Sequence, residues 1–226
     1  MREELTRQFD IIPEQILCTP ITIIGAGAVG SFTTLSLAKM GFINIDVWDG
    51  DDVEIENLNA QFYGGQDVGH KKVAKLYETV LRMGGGSISY APDFYAGQGL
   101  GPGITISAVD SMAVRKMIWE NQKNNPEAEL LIDPRMASEY LRVFAIRPDM
   151  PQDQEMYEKT LHSDENSIQE PCTARSTIYT VLLISGLICK IIKDRLCHRN
   201  YYRIVEWHVG ANQMRGHLLD APQTMP

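Results

Sequence analysis

Residues 20–30 read PITIIGAGAVG, and this stretch decides the fold. The β-branched run at 21–24 is typical of a strand buried in a parallel sheet. Gly25, Gly27 and Gly30 follow in the pattern GxGxxG, which permits a tight turn and brings a phosphate close to the N-terminus of the next helix. The stretch therefore predicts a nucleotide-binding strand–turn–helix unit. A glycine turn that only packs a helix against a sheet is the structural alternative.

Outward from this turn, strands and helices alternate along the first half of the chain. The apolar pattern predicts a helix at 28–40 that ends at Gly41, and a second strand at 42–48. Further strands are predicted at 87–91, 104–109 and 130–133, and further helices at 71–83 and 111–122. Alternation at this spacing predicts a Rossmann-like, doubly wound α/β sheet that is mostly parallel in its N-terminal half.

The second half has a different pattern. Strand-like segments at 137–149 and 201–210 predict antiparallel strands added to the sheet. Between them lies an acidic loop, about 148–173, followed by a strongly apolar helix at about 174–195. Because that helix is too apolar to be anything but core, we place no boundary and expect residues 1–226 to form a single domain.

Composition excludes several classes of function. The 226 residues carry 29 acidic and 21 basic side chains, a net charge of −8, so nucleic acid is a poor partner. The longest apolar run is too short and too polar for a membrane span, and the charged N-terminus lacks the apolar core of a signal peptide. The four cysteines include no CxxC pair, so we expect no zinc and no disulfide framework. A cytoplasmic protein is the simplest interpretation.

Polar residues after the glycine turn make the prediction more specific. An acidic residue, Asp49, follows the second strand, where it could hold a ribose hydroxyl of NAD or ATP. Asn57, Lys72 and Asp110 come behind it, and an NAD-dependent oxidoreductase needs no such set. An enzyme that activates a carboxylate with ATP needs a cation for the phosphates, a carboxylate for Mg²⁺ and an amide near the α-phosphate.

Four motifs in order carry a family resemblance. After GAGAVG come DGDDVEIENLNAQ at 49–61, DVGHKK at 67–72 and DSMAVR at 110–115. This arrangement, over about residues 7–115, resembles the ThiF/MoeB/HesA family of E1-like adenylyltransferases, which are related to the ubiquitin-activating enzymes. The resemblance implies a Rossmann-like fold, ATP and Mg²⁺ as cofactors, and adenylylation of a carboxylate.

The resemblance also assigns roles to individual residues. Asp49 would bind the ATP ribose with Asp51 beside it, and Lys72 would contact the β- and γ-phosphates, with Lys71 as the less favoured neighbour. Asp110 would hold Mg²⁺. The complete set of implied nucleotide-binding residues is Gly25, Gly27, Gly30, Asp49, Asp51, Asn57, Gln61 and Lys72.

One residue departs from the family pattern, and one extends it. Ala60 stands where the family has an arginine, which puts the rate or the phosphate geometry in doubt. Arg7 matches an arginine that in the family reaches the ATP of the partner subunit, which implies a homodimer. A solvated N-terminal charge is the alternative for Arg7.

The acidic loop ends at Cys172, the only cysteine with a functional interpretation. The sequence PCTARS at 171–176 is similar to the segment that contains the thioester cysteine of the autophagy-type activating enzymes. The alternative is that Cys172 has only a structural role. Arg135 could receive a substrate carboxylate, or could form a local salt bridge with Asp133 or Glu139.

Two substrate classes remain open. The first is the C-terminal glycine of a ubiquitin-like or sulfur-carrier protein, with thioester transfer as a further step. The second is a small-molecule carboxylate. The rival functions are an NAD-dependent oxidoreductase and a catalytically weakened E1-like binding subunit, the latter favoured by Ala60.

Overall fold

The structure, a computed structural model, describes residues 3–83, 86–161 and 177–218. In this part of the chain eight strands form one mixed sheet in the order 3-2-1-4-5-6-7-8. The strands are β1 (Ile21–Ile24), β2 (Ile45–Trp48), β3 (Ser89–Ala91), β4 (Gly103–Ser107), β5 (Ala128–Ala137), β6 (Tyr140–Ile146), β7 (Ile204–His208) and β8 (Gln213–His217). The α-helices are α1 (Ala28–Met40), α2 (Lys72–Arg82), α3 (Met112–Lys123), α4 (Pro151–Glu158) and α5 (Ile178–Leu196).

The sheet changes direction halfway across. Strands β1 to β5 are parallel, and β1 lies between β2 and β4, so the strand order reverses beside it. Strands β5 to β8 pair antiparallel in sequence order. The predicted fold class is therefore confirmed. Ligands of such sheets bind at the carboxyl ends of the strands where the order reverses, which here is the end of β1 that enters the glycine turn.

Each face of the sheet is covered by its own hydrophobic cluster. Alternate residues of a strand point to opposite faces, so Ile23 packs with α1, α2 and α5, whereas Ile24 packs with α3 and α4. On the second face Trp119 and Tyr157 are fully buried, with ring centroids 5.1 Å apart. The site at the carboxyl edge thus rests on a core buried from both sides.

Helix α1 owes its bounds to glycine at both ends. Gly27 occupies the position before its first residue, and Gly41 ends it in the left-handed conformation at φ 100°. The N–H of Gly41 donates to Ala38 O at 3.0 Å, which satisfies one carbonyl of the last turn. None of the helices in the described ranges combines the length and the apolar character that crossing a bilayer requires.

The acidic segment is not a continuous loop, which corrects the prediction for 148–173. Pro151 opens α4, as proline at a first helical position favours, and the helix buries Tyr157 against the sheet. Asp153, one of the acidic residues of this segment, is 2% exposed and accepts a hydrogen bond from Arg147 N at 2.8 Å. Residues 162–176 lie outside the described residues.

Two strands of the second half also differ from the sequence prediction. Strand β5 runs for ten residues instead of the four predicted, because its C-terminal half pairs with β6. Strand β8 is absent from the sequence prediction, since all five of its residues are exposed and its sequence has no apolar alternation. Pairing with β7, which is not a local property, makes it a strand.

Candidate active site

The glycine turn between β1 and α1 forms the base of the site. Gly25 has φ 99°, and a Cβ there would fall 2.3 Å from Ala108 O; one at Gly30 would fall 1.9 Å from Gly25 O. These two glycines are required by the packing of the turn against itself and against the end of β4. At Gly27 the nearest atom to such a Cβ is Gln61 Nε2 at 4.0 Å, so this part of the turn is open. An open turn at the start of α1 is where a phosphate group fits.

Asp49 lies directly against this turn. One carboxylate oxygen accepts a hydrogen bond from Ala26 N at 2.6 Å, and the other accepts one from Asp51 N at 2.8 Å. Burial raises the pKa of the Asp49 carboxyl above its ordinary value, while the two N–H donors and the charge of Lys72 act in the opposite direction. The carboxylate predicted for the ribose is thus fixed beside the predicted phosphate turn.

The two lysines at the start of α2 occupy different environments. The side chain of Lys72 is 8% exposed, and its Nζ lies 2.8 Å from Asp51 Oδ2. Lys71 is 44% exposed, and its Nζ donates to Gly50 O at 2.7 Å and lies 3.1 Å from Asp52. Only Lys72 is turned inward, toward the carboxylates beside the turn, which supports it over Lys71 as the phosphate cation.

The two predicted amide residues are placed differently. Asn57 is half-buried, and its Oδ1 accepts a hydrogen bond from Glu54 N at 2.9 Å, which caps the short 3₁₀ helix Ile55–Asn57. Gln61 lies closer to the turn, and its Oε1 is buried with no hydrogen-bond partner among the described residues. A buried polar atom without a partner is costly, so Gln61 is the amide that a ligand would satisfy.

Asp110 follows β4 and is exposed at the same edge of the sheet. Its neighbour Ser111 caps α3 by accepting a hydrogen bond from Val114 N. Within residues 3–83, 86–161 and 177–218 no group of three His, Cys, Asp or Glu side chains could hold a metal ion. Asp110 would therefore need phosphate oxygens as further ligands for Mg²⁺. This is how the ion is usually bound at nucleotide sites, with one or two carboxylates and phosphate oxygens.

A buried charge cluster, which we call the Asp133 cluster, holds the end of β4 in place. Asp133 is 0% exposed and pairs with the guanidinium groups of Arg115 and Arg135, and Tyr157 Oη donates to it at 2.9 Å. Arg115 also donates to the carbonyls of Ser107, Val109 and Pro134. The cluster therefore fixes the turn that presents Asp110.

The same cluster decides the role of Arg135. Its Nε and Nη2 donate to Asp133 at 2.9 and 2.8 Å, and Nη1 donates to Thr160 O at 3.2 Å. Its guanidinium lies 4.6 Å from the ring centroid of Phe144. Of the two predicted roles, the structure therefore supports the local salt bridge with Asp133.

The sequence did not predict that Tyr63 would bear on the site. Tyr63 is 7% exposed and its Oη donates to Ala26 O at 2.6 Å, which ties the segment after the second motif to the glycine turn. Burial raises the pKa of Tyr63 well above its usual value. Ala60, in the place of the family arginine, is 5% exposed, so this position faces the interior here. No pattern in the sequence marks Tyr63, because its contact depends on the fold of the whole segment.

The remaining predicted residues are Arg7, which lies away from the site around the glycine turn, and Cys172. Arg7 is exposed on the 3₁₀ helix Glu3–Gln8. Cys172 lies outside the described residues. Of the other thiols, Cys18 is exposed, whereas Cys189 is buried, and burial raises its pKa to about 12. Cys189 is therefore inert as a nucleophile at neutral pH.

Comparison with known proteins agrees with this geometry. Residues 11–87 match the model of the ThiF family. The chain is 36% identical over 70 residues to SUMO-activating enzyme subunit 2 of Dictyostelium discoideum, covering 30% of this chain and 11% of that protein. It is 47% identical over 53 residues to the NEDD8-activating enzyme E1 catalytic subunit of the same organism, covering 23% and 12%. The chain thus matches only a small part of the length of these relatives.

Solved structures extend the likeness in fold to nearly the whole chain. The structure of E. coli MccB with ATP superposes with a TM-score of 0.75 at 13% identity, covering 96% of this chain and 72% of that one. PaaA superposes with a TM-score of 0.72 at 19% identity, covering 89% and 64%. Residues 11–87 thus match the ThiF family, as the motifs predicted, and they lie in a chain with the fold of MccB and PaaA.

Proposed function

We propose that this protein adenylylates a carboxylate with ATP. One observation carries the proposal: a continuous chain of contacts runs from the glycine turn through Asp49 and Asp51 to the buried Lys72. The glycine turn, the Asp49 carboxylate and the Lys72 ammonium group thus lie side by side at the carboxyl edge, where they would serve as phosphate site, ribose-binding carboxylate and phosphate cation. The ThiF match of residues 11–87 supports the same function.

The nucleotide would lie along this edge with its phosphates over the glycine turn. Asp49 would accept hydrogen bonds from the ribose hydroxyls, and Gln61 Nε2, which lies 4.0 Å from a Cβ built on Gly27, would donate to the phosphates, with Asn57 nearby. Lys72 would neutralise the β- and γ-phosphates. Asp110 would hold Mg²⁺ together with phosphate oxygens. The open face at Gly27 fits the phosphates of a bound nucleotide, and the orphaned Oε1 of Gln61 would accept a hydrogen bond from a hydroxyl or amino group of the ligand.

The reaction needs positioning and charge stabilisation. A substrate carboxylate oxygen attacks the α-phosphorus of ATP, the bond to the bridging oxygen of the β-phosphate breaks, and pyrophosphate leaves with the electron pair. The product is an acyl-adenylate. Lys72, held in a largely buried position, would stabilise the charge that develops on the departing phosphates.

The substrate we favour is the C-terminal glycine of a ubiquitin-like or sulfur-carrier protein. Relatives named as SUMO-, NEDD8- and ubiquitin-like-modifier-activating enzymes support this choice. A small-molecule carboxylate is the second candidate. If the acyl group passes on as a thioester, Cys172 is the acceptor that the sequence offers.

Two other functions are the alternatives, and each would use different residues of the site. An NAD-dependent oxidoreductase would use the glycine turn and Asp49 but has no use for Lys72 turned toward Asp51. A weakened E1-like subunit would bind ATP or a partner without turnover, and the buried Ala60 is the feature that favours it.

ATP–pyrophosphate exchange separates these functions. We expect the protein to return ³²P from pyrophosphate to ATP when the correct carboxylate is present. A Cys172→Ser variant should exchange at the same rate but should not pass the activated group to an acceptor. NAD binding without exchange on any carboxylate would refute the proposal, and ATP binding without exchange would favour the weakened subunit. If the Cys172→Ser variant still passed the activated group to an acceptor, only the proposed thioester step would be refuted.

We also propose a homodimer in which Arg7 reaches the ATP of the partner subunit. Its exposure on the N-terminal 3₁₀ helix is compatible with such a contact. Arg7→Ala and Lys72→Met should each exchange slowly, but an equal mixture after subunit exchange should recover about a quarter of the wild-type rate. That recovery arises because half of the dimers are mixed and each mixed dimer has one intact site. A mixture no faster than its components would exclude the shared site.

A further inference from the structure

Phe94 is an exposed aromatic residue that is nevertheless held at a defined place. It is 67% exposed, the most exposed aromatic side chain in the described part of the chain. Its ring lies against Gly50, the residue after Asp49: a Cβ built on Gly50 would fall 2.7 Å from Cδ2 of the ring. The ring therefore occupies the space that a side chain at position 50 would fill.

The segment that carries Phe94 is fixed by its neighbours. Tyr95 is 6% exposed and packs in the second hydrophobic cluster, so the residue next to Phe94 is anchored in the core. Leu100 N donates to Asn121 Oδ1 at 3.0 Å, and Asn121 Nδ2 donates to Gln98 O at 3.2 Å, which tie the segment to α3. Most of the apolar surface of the anchored ring faces water, so a ligand that covered it would gain from burying that surface.

The position of the ring relative to Asp49 suggests what covers it. The ends of β2 and β3 are adjacent, because Asp49 N donates to Ala91 O at 3.2 Å. If phosphates lie on the glycine turn and the ribose on Asp49, the base must extend beyond Asp49 on the side away from the turn. Gly50 and the ring of Phe94 lie next along this edge.

We propose that the ring of Phe94 is the surface on which the base of bound ATP stacks. The inference rests on the proposed function and adds a cofactor-contacting residue that none of the motifs contains. Gly50 makes the arrangement possible, since a larger residue there would displace the ring. Because every base has a π-face, stacking on Phe94 supplies affinity for a nucleotide without selecting adenine.

Calorimetric titration with ATP and with inorganic tripolyphosphate tests the proposal. Loss of one base–aromatic stack typically lowers affinity by about tenfold or more, so Phe94→Ala should weaken ATP binding by about that factor. Phe94→Trp should bind ATP within about threefold of the wild type, because the indole also stacks. Tripolyphosphate has no base, so its affinity should be the same in all three proteins.

Tyr90→Ala is the matched control. Tyr90 is 40% exposed and packs against Tyr77 with ring centroids 5.4 Å apart, and we expect its loss to leave ATP affinity unchanged. Unchanged ATP affinity in Phe94→Ala, or equal weakening in Phe94→Trp, would overturn the stacking role while leaving the proposed function intact. A wild-type protein that does not bind ATP would overturn both.

Discussion

Replacing Lys72 by methionine should lower the rate of ATP–pyrophosphate exchange by about a hundredfold to a thousandfold, the usual cost of removing one preorganised charge from a phosphate or oxyanion site. Methionine keeps the aliphatic stem that lies in the interior and removes only the charge. The partner left behind, Asp51, is 52% exposed, so its loss of an ion pair should cost little stability. The measurement is kcat/KM for ATP in the exchange assay, with thermal unfolding to confirm the fold.

Lys71 provides the control for this variant, because it is adjacent in sequence and carries the same charge. Its side chain is 44% exposed and points to Asp52 and Gly50 O instead of Asp51. Lys71→Met should therefore exchange within about threefold of the wild type, as expected for a largely exposed charge. If Lys71→Met lost activity and Lys72→Met kept it, the assignment of the phosphate cation would be wrong.

Replacing Asp133 by alanine should destabilise the protein strongly. The carboxylate is 0% exposed and balances the charge of two arginines, one of which, Arg115, is 6% exposed. Removing one partner of a buried ion pair leaves an uncompensated charge and typically costs about 3–5 kcal/mol. Urea denaturation of wild type and variant measures the difference in the free energy of unfolding.

Asp149 offers a matched surface pair. Its carboxylate accepts from Arg147 at 2.7 Å, again two residues apart in sequence, but its side chain is 59% exposed. Asp149→Ala should cost no more than about 1 kcal/mol, since exposed ion pairs contribute little. Equal losses in the two variants would show that burial is not what makes the Asp133 cluster important.

The glycine turn and the parallel half of the sheet could be predicted because their signals are local. A β-branched run, a GxGxxG turn and a helical apolar pattern all lie within 20–41. The placement of Asp49 and Lys72 followed from the motif order, and the structure brings both to Asp51. The roles of these two residues in binding ATP remain predictions, which the exchange assay tests for Lys72.

Features that depend on distant residues could not be predicted. Asp133 meets Arg115 and Tyr157 only when α3 and α4 fold onto the same face of the sheet, so its sequence neighbours reveal one arginine and not the other. The contact of Phe94 with Gly50 has the same origin, because the two residues follow different strands. Helix α4 was hidden by the acidic composition around it, although Pro151 marks its start.

The pairing of α1 with α5 has a consequence for how the protein is made. Helix α1 carries the glycine turn, yet it packs against residues about 150 positions later, as the hydrogen bond from Ser185 Oγ to Val29 O shows. The ribosome therefore synthesises all four motifs, up to Arg115, long before the helix that buries α1 emerges. Contacts between such distant segments slow folding and leave apolar surface uncovered in the meantime. We therefore expect chaperones and proteases to act on the nascent chain mainly between the synthesis of Arg115 and that of Leu196, while the apolar surface of α1 is uncovered.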